Sequence, residues 1–143
     1  MQNTTESTQC VPAMTYTLML EKVRYDGAYP TRERAEEAVR LVLDGLGGQL
    51  AGDERASLAA RLPQEAAAVL LAARPETPLS GRDFVNSLAL STGSGVATTR
   101  WDVGSVLTTV AQLTGPDLLA RILRALPQGY ALLFGRAELA RAA

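Results

Sequence analysis

The chain has 143 residues, 47% of them hydrophobic and 20% charged, enough for one compact domain or two very small ones and too apolar for a disordered chain. Its 14 basic and 15 acidic residues leave a formal net charge of −1, so no excess of either sign points to nucleic acid or an anionic membrane. There is no histidine and only one cysteine, which excludes histidine-based triads, His/Cys zinc sites and an internal disulfide within the chain.

Residues 1–13 are polar and end near Pro12, and are expected to form a flexible tail. They carry no basic start and no apolar run, so a cytoplasmic location is expected over secretion. Cys10 in this tail reads as an incidental thiol, with an intermolecular disulfide or redox handle as the alternative. No run of about 18 apolar residues suggests a membrane span.

Tyr16, Met19, Leu20 and Val23 recur at helical spacing, and Gly27 is placed to end that helix in a left-handed cap. Thr31 can cap a second helix with the stripe Ala35, Ala38, Val39, Val42, Leu43 and Leu46, ended by Gly47-Gly48. Asp53 and Glu54 favour the start of a third helix, which carries Leu58 and Leu62. Pro63 suits the first turn of a fourth, with Ala66, Val69, Leu70 and Ala73 on its apolar side. Pro75 and Pro78 mark a linker over 74–78.

Ser80 and Asp83 resemble a capping box before Phe84, Val85 and Leu88. Ser91 to Gly95 reads as a loop. Val103, Val106, Leu107, Val110 and Leu113 form another stripe, in which Gly104 suggests a close approach by a second helix. Pro116 opens a helix with Leu118, Leu119, Ile122, Leu123 and Leu126, and Tyr130, Leu133, Phe134 and Ala137 follow Pro127. No segment alternates like a strand.

Ala60-Arg-Leu-Pro-Gln64 is echoed by Arg124-Ala-Leu-Pro-Gln128, and the two major stripes match at an offset of 64 residues. The expected fold is all-α: a tandem repeat of two four-helix halves, 14–74 and 79–141, packed into one helical domain over 14–141. A half of about 60 residues is marginal alone, so the halves are expected to share a core.

Met19-Leu-Glu-Lys-Val23, the Ala35–Leu43 helix and the repeated Leu-Pro-Gln turn together resemble the bacterial domain-of-unknown-function family 2267. The resemblance covers nearly everything after the tail. It implies an all-helical two-repeat domain with no established activity and no catalytic residues. The second half departs from the pattern where Gly129 follows Gln128, against Glu65 after Gln64.

No catalytic constellation, cofactor motif or metal-ligand set emerges. Glu33, Glu36, Glu37 and Asp44 read as a solvated face, with pairs Arg32–Glu36, Arg40–Asp44 and Glu37–Arg40 at helical spacing. Lys22 reads as solvated too. Ser91 to Thr98 fits no phosphate-loop pattern. Tyr25, Tyr29, Trp101, Leu132 and Leu139 are candidates for a contact surface, since tyrosine and tryptophan are enriched at binding hot spots and the last helices carry apolar residues on more than one face. Residues 14–76 hold 8 basic and 10 acidic residues and 77–143 hold 6 and 4, so the second half is poorer in charge. The leading expectation is a non-catalytic interaction or structural module that associates with a protein partner or with itself through the second half. The alternative is a small-anion binder, or an enzyme independent of histidine, with Arg61, Arg121 and Arg124 in a groove between the halves.

Overall fold

The computed structural model describes residues 14–136, which form eight helices and no strand. Thr15 opens α1 (Tyr16–Gly27) by accepting the Leu18 N–H on its side chain. Thr31 does the same for α2 (Arg32–Gln49), accepting the Arg34 N–H at 3.0 Å. Helix α3 (Gly52–Arg61) lacks a side-chain cap and carries Asp53 and Glu54 in its first turn. Pro63 is the N-cap residue of α4 (Gln64–Ala72). Ser80 caps α5 (Gly81–Thr92) by accepting the Asp83 N–H at 3.1 Å. Each such cap satisfies a backbone donor that has no partner inside its helix. Then come α6 (Val96–Thr114), α7 (Pro116–Ala125), which opens on Pro116, and the single turn α8 (Tyr130–Leu133).

Several local expectations need correction, each for a packing reason. Gly27 does not take the left-handed cap; Ala28 does, at φ 56°. Gly27 is the last residue of α1, and a Cβ there would run into the Tyr29 ring and lie 2.9 Å from Ser105 Oγ. Gly47 and Gly48 do not end α2, which continues to Gln49. They are bare because α4 and the linker cross them: a Cβ on Gly47 would strike the Leu70 carbonyl, and one on Gly48 would sit 2.9 Å from the Arg74 carbonyl. The expected loop at 91–95 shrinks to residues 93–95, because the Ser91 and Thr92 hydroxyls bond back to the Leu88 carbonyl and extend α5. Among the described residues nothing approaches a Cβ at Gly104 within 4 Å, so no described helix exploits its missing side chain.

One hydrophobic cluster runs from Met19 in α1 to Phe134 after α8. The α2 stripe forms its middle, with Ala35, Val39, Val42, Leu43 and Leu46 fully buried. Full burial of a Val or Leu side chain contributes about 1.5–3 kcal/mol. Helix α2 packs on α1 and α4 on one side and on α5 and α6 on the other, while α3 packs on α7. The proline-rich linker is tied to the end of α2: Glu76 N–H donates to the Gly48 carbonyl, and the Gln49 side chain bridges the Thr77 carbonyl and the Leu79 N–H. At the far end, Gly81 donates its N–H to the Gln128 carbonyl, and a Cβ on Gly81 would strike Gly129. Gly129, at φ 99°, is where the expected second repeat differs from the first, and that backbone contact explains the glycine. Cys10 and the expected tail lie outside the described residues, as do Ala137 and Leu139.

Candidate functional site

Three polar side chains meet where the α1–α2 turn and the start of α2 face α6. Tyr29, in the turn after α1, donates its hydroxyl to Asp102 Oδ1 at 2.6 Å. Arg34, in the first turn of α2, donates to Asp102 Oδ2 at 3.2 Å and lies over the Tyr29 ring, 5.2 Å from its centre. Asp102 is buried, and these two donors take up both of its carboxylate oxygens. Burial first, then the hydrogen bond to Asp102, pushes the Tyr29 phenol far above its ordinary range. With both carboxylate oxygens engaged and the phenol held protonated, the cluster is a clamp between the α1–α2 turn and α6. Next to it, Trp101 donates its indole N–H to the Gly27 carbonyl at 2.8 Å and so caps the end of α1.

The residues proposed as a contact surface divide. Tyr25 is 81% exposed, Leu132 67% and Trp101 56%. Tyr29 is withdrawn from that surface, because its hydroxyl finds Asp102 and its ring fills the space over Gly27. Val96, 52% exposed, joins the surface instead. Leu132 lies between two grooves: one holds Trp101 and Gly104, the other holds Val96 and Val85. Val96, Trp101 and Leu132 thus form an exposed apolar run on α6 and α8, bordered by Arg82 of α5 and Arg100 of α6.

The candidate anion contacts do not form one cluster. Arg61 donates to the Thr114 carbonyl and caps α6. Arg121 pairs with Glu54 at 3.5 Å, joining α7 to α3. Arg124 is exposed. The acidic candidates are dispersed along α2, and their pairings differ from those expected: Arg40 meets Glu36, Arg32 reaches Glu21 on α1, and Arg34 lies 3.9 Å from Glu37. Glu36 also accepts the Tyr16 hydroxyl at 2.9 Å; burial and then this bond push the Tyr16 phenol up to about 12. Lys22 pairs with Asp26 at 2.9 Å. No group of three or more metal-ligating side chains comes together among the described residues.

The seam holds a polar groove of about 450 Å³ between α2, the linker and α5, lined by Asp44, Arg74, Glu76 and Ser87 and floored by Phe84. Its arginine is Arg74, and none of Arg61, Arg121 and Arg124 lines it. Sequence reasoning also passed over Asp102, Arg34 and Arg55. Arg55 reaches from α3 to the Leu70, Leu71 and Ala73 carbonyls at the end of α4, at 2.7–3.1 Å. Only tertiary contact makes these residues special, and a charged side chain on a helix carries no local mark of it. Among the described residues no helix is long and apolar enough to cross a membrane. A search of curated proteins returned no match. The family model described as "Uncharacterized conserved protein (DUF2267)" matches residues 16–133, and the chain belongs to that family.

Proposed function

We propose that the chain is a non-catalytic helical interaction module that self-associates through the apolar face of α6 and α8. The observation that carries this reading is the run Val96, Leu132 and Trp101, each more than half exposed and joined through the two grooves that Leu132 separates. Contiguous exposed apolar surface of this kind marks interaction sites. Light scattering over a range of concentrations tests it. The wild type should form dimers with rising concentration, and Leu132→Arg should remain monomeric with unchanged helical content. A wild type that stays strictly monomeric at high concentration overturns the reading.

We also propose that the domain arose as a tandem four-helix repeat. The helix starts support it: α1 and α5 are 65 residues apart, α2 and α6 64, α3 and α7 64, and α4 and α8 66. A second functional reading, a binder of small polar ligands or an enzyme working without histidine, draws support from the 450 Å³ seam groove. Chemical-shift changes confined to Asp44, Arg74 and Ser87 on screening polar metabolites would favour it over self-association.

A further inference from the structure

The second groove has a composition of its own. It encloses about 500 Å³ between α5, the start of α6 and α8. Val85, Val96, Leu132 and Leu133 give it apolar walls, and Arg82 and Arg100 stand on it, with no acidic residue in its lining among the described residues. Ion pairs among the described residues engage Lys22, Arg24, Arg32, Arg34, Arg40 and Arg121, but neither Arg82 nor Arg100. The start of α6 adds to the positive field: it has no side-chain cap and no acidic residue in its first turn. Apolar walls with a few convergent polar groups and a volume within about 300–1,000 Å³ are the ordinary features of a small-molecule site. A guanidinium presents a planar fork of donors that fits a carboxylate, and it is desolvated more cheaply than an ammonium.

We infer that this groove binds a small carboxylate with an apolar tail, the tail lying along Val85, Val96 and Leu132 and the carboxylate between Arg82 and Arg100. The inference goes beyond self-association: a monomer carries the whole groove. But Val96 and Leu132 belong to both surfaces, so a second copy would compete with the carboxylate, and binding is read at a chain concentration where light scattering gives a monomer.

The probe is decanoate below its micelle-forming concentration, with decylamine and decanol as equal-length controls, on the full chain. Titration calorimetry and amide chemical shifts are read together. Decanoate should bind saturably, one per chain, and shift resonances of Val85, Val96 and Leu132. Decylamine should bind at least about tenfold more weakly, as should decanoate to Arg82→Gln or Arg100→Gln, since each change removes a charge-assisted hydrogen bond to the carboxylate. Both arginines are exposed, so these variants should keep wild-type helicity. Val96→Trp, which fills the groove from an exposed position, should abolish binding. Equal affinity for all three probes, no saturable binding, shifts mapping elsewhere, or unaltered binding to both arginine variants would overturn the inference.

Discussion

The Tyr29 hydroxyl donates to the Asp102 carboxylate at 2.6 Å across 73 positions of sequence, and both residues are buried. This bond ties the α1–α2 turn to α6, and Arg34 completes it from the start of α2. Tyr29→Phe should destabilise the protein by about 1–2 kcal/mol, because Asp102 then keeps a single donor. Asp102→Ala should cost about 2–3 kcal/mol, below the usual 3–5 for breaking a buried pair, because Arg34 can rehydrate. Arg34 is indeed 34% exposed. Urea denaturation of the two variants checks both values. A neutral Asp102→Ala would mean the clamp contributes nothing net.

Three phenols make the protein sensitive to alkali. Tyr16 ionises only near pH 12, and Tyr29 and Tyr130 are raised further, all chiefly by burial. In the unfolded chain a tyrosine ionises near pH 10. The native state therefore holds protons that the unfolded state sheds, and their stabilisation is complete below about pH 10 and lost as pH rises through 12 and above. Tyr130→Phe keeps the ring against Phe84 but loses the bond to the Leu79 carbonyl. It should be slightly less stable at neutral pH and fall less steeply above pH 10. Urea midpoints measured from pH 8 to 12 decide this; identical slopes in wild type and variant would refute the assignment.

The shared core argues for one unfolding transition. The buried cluster passes without a break from α1–α4 into α5–α8, and α2 packs on both sets of helices. Neither set can lose its neighbour without exposing the α2 stripe. Calorimetry should give one transition, with calorimetric and van't Hoff enthalpies equal. Two separated transitions would show two cores.

What was legible in sequence was local. The α2 stripe repeats every 3.6 residues, so its buried face followed from spacing alone. Thr31, Ser80 and Pro116 announced helix starts because a cap is decided within four residues. The clamp was hidden, since Asp102 and Arg34 look like ordinary helix-surface charges until α6 is laid beside α2. The glycines misled for the same reason. Gly27, Gly47 and Gly48 read as helix stops, yet they answer to neighbours met only in three dimensions. Of the α5–α6–α8 groove the sequence carried only a shadow, the charge-poor and slightly basic second half.

Arg55 adds a side-chain cap to the C-terminal end of α4. One of its terminal nitrogens reaches three carbonyls at that helix end, of which Leu70's also accepts the Ala73 N–H at 3.4 Å. Arg55→Met keeps the stem and deletes the donors. It should cost about 1.5–3 kcal/mol. Hydrogen exchange should speed most at residues 68–73 while α7 stays protected; uniform acceleration would speak against a local cap.

Two helical glycines should respond to alanine with opposite signs. At Gly104 a Cβ meets nothing within 4 Å among the described residues, so Gly104→Ala gains only the helix propensity difference, about 1 kcal/mol of added stability. At Gly47 the same methyl would strike the Leu70 carbonyl and crowd Ala73, both at the end of α4. A carbonyl fixed in a helix cannot step aside as a flexible side chain can. Overpacking of this kind costs about 1–3 kcal/mol, more than the propensity gain returns. Thermal melts of the two variants read the contrast directly: the Tm should rise for Gly104→Ala and fall for Gly47→Ala. A rise in both would mean that α4 can move away from α2, and the close crossing would then be no constraint on the fold.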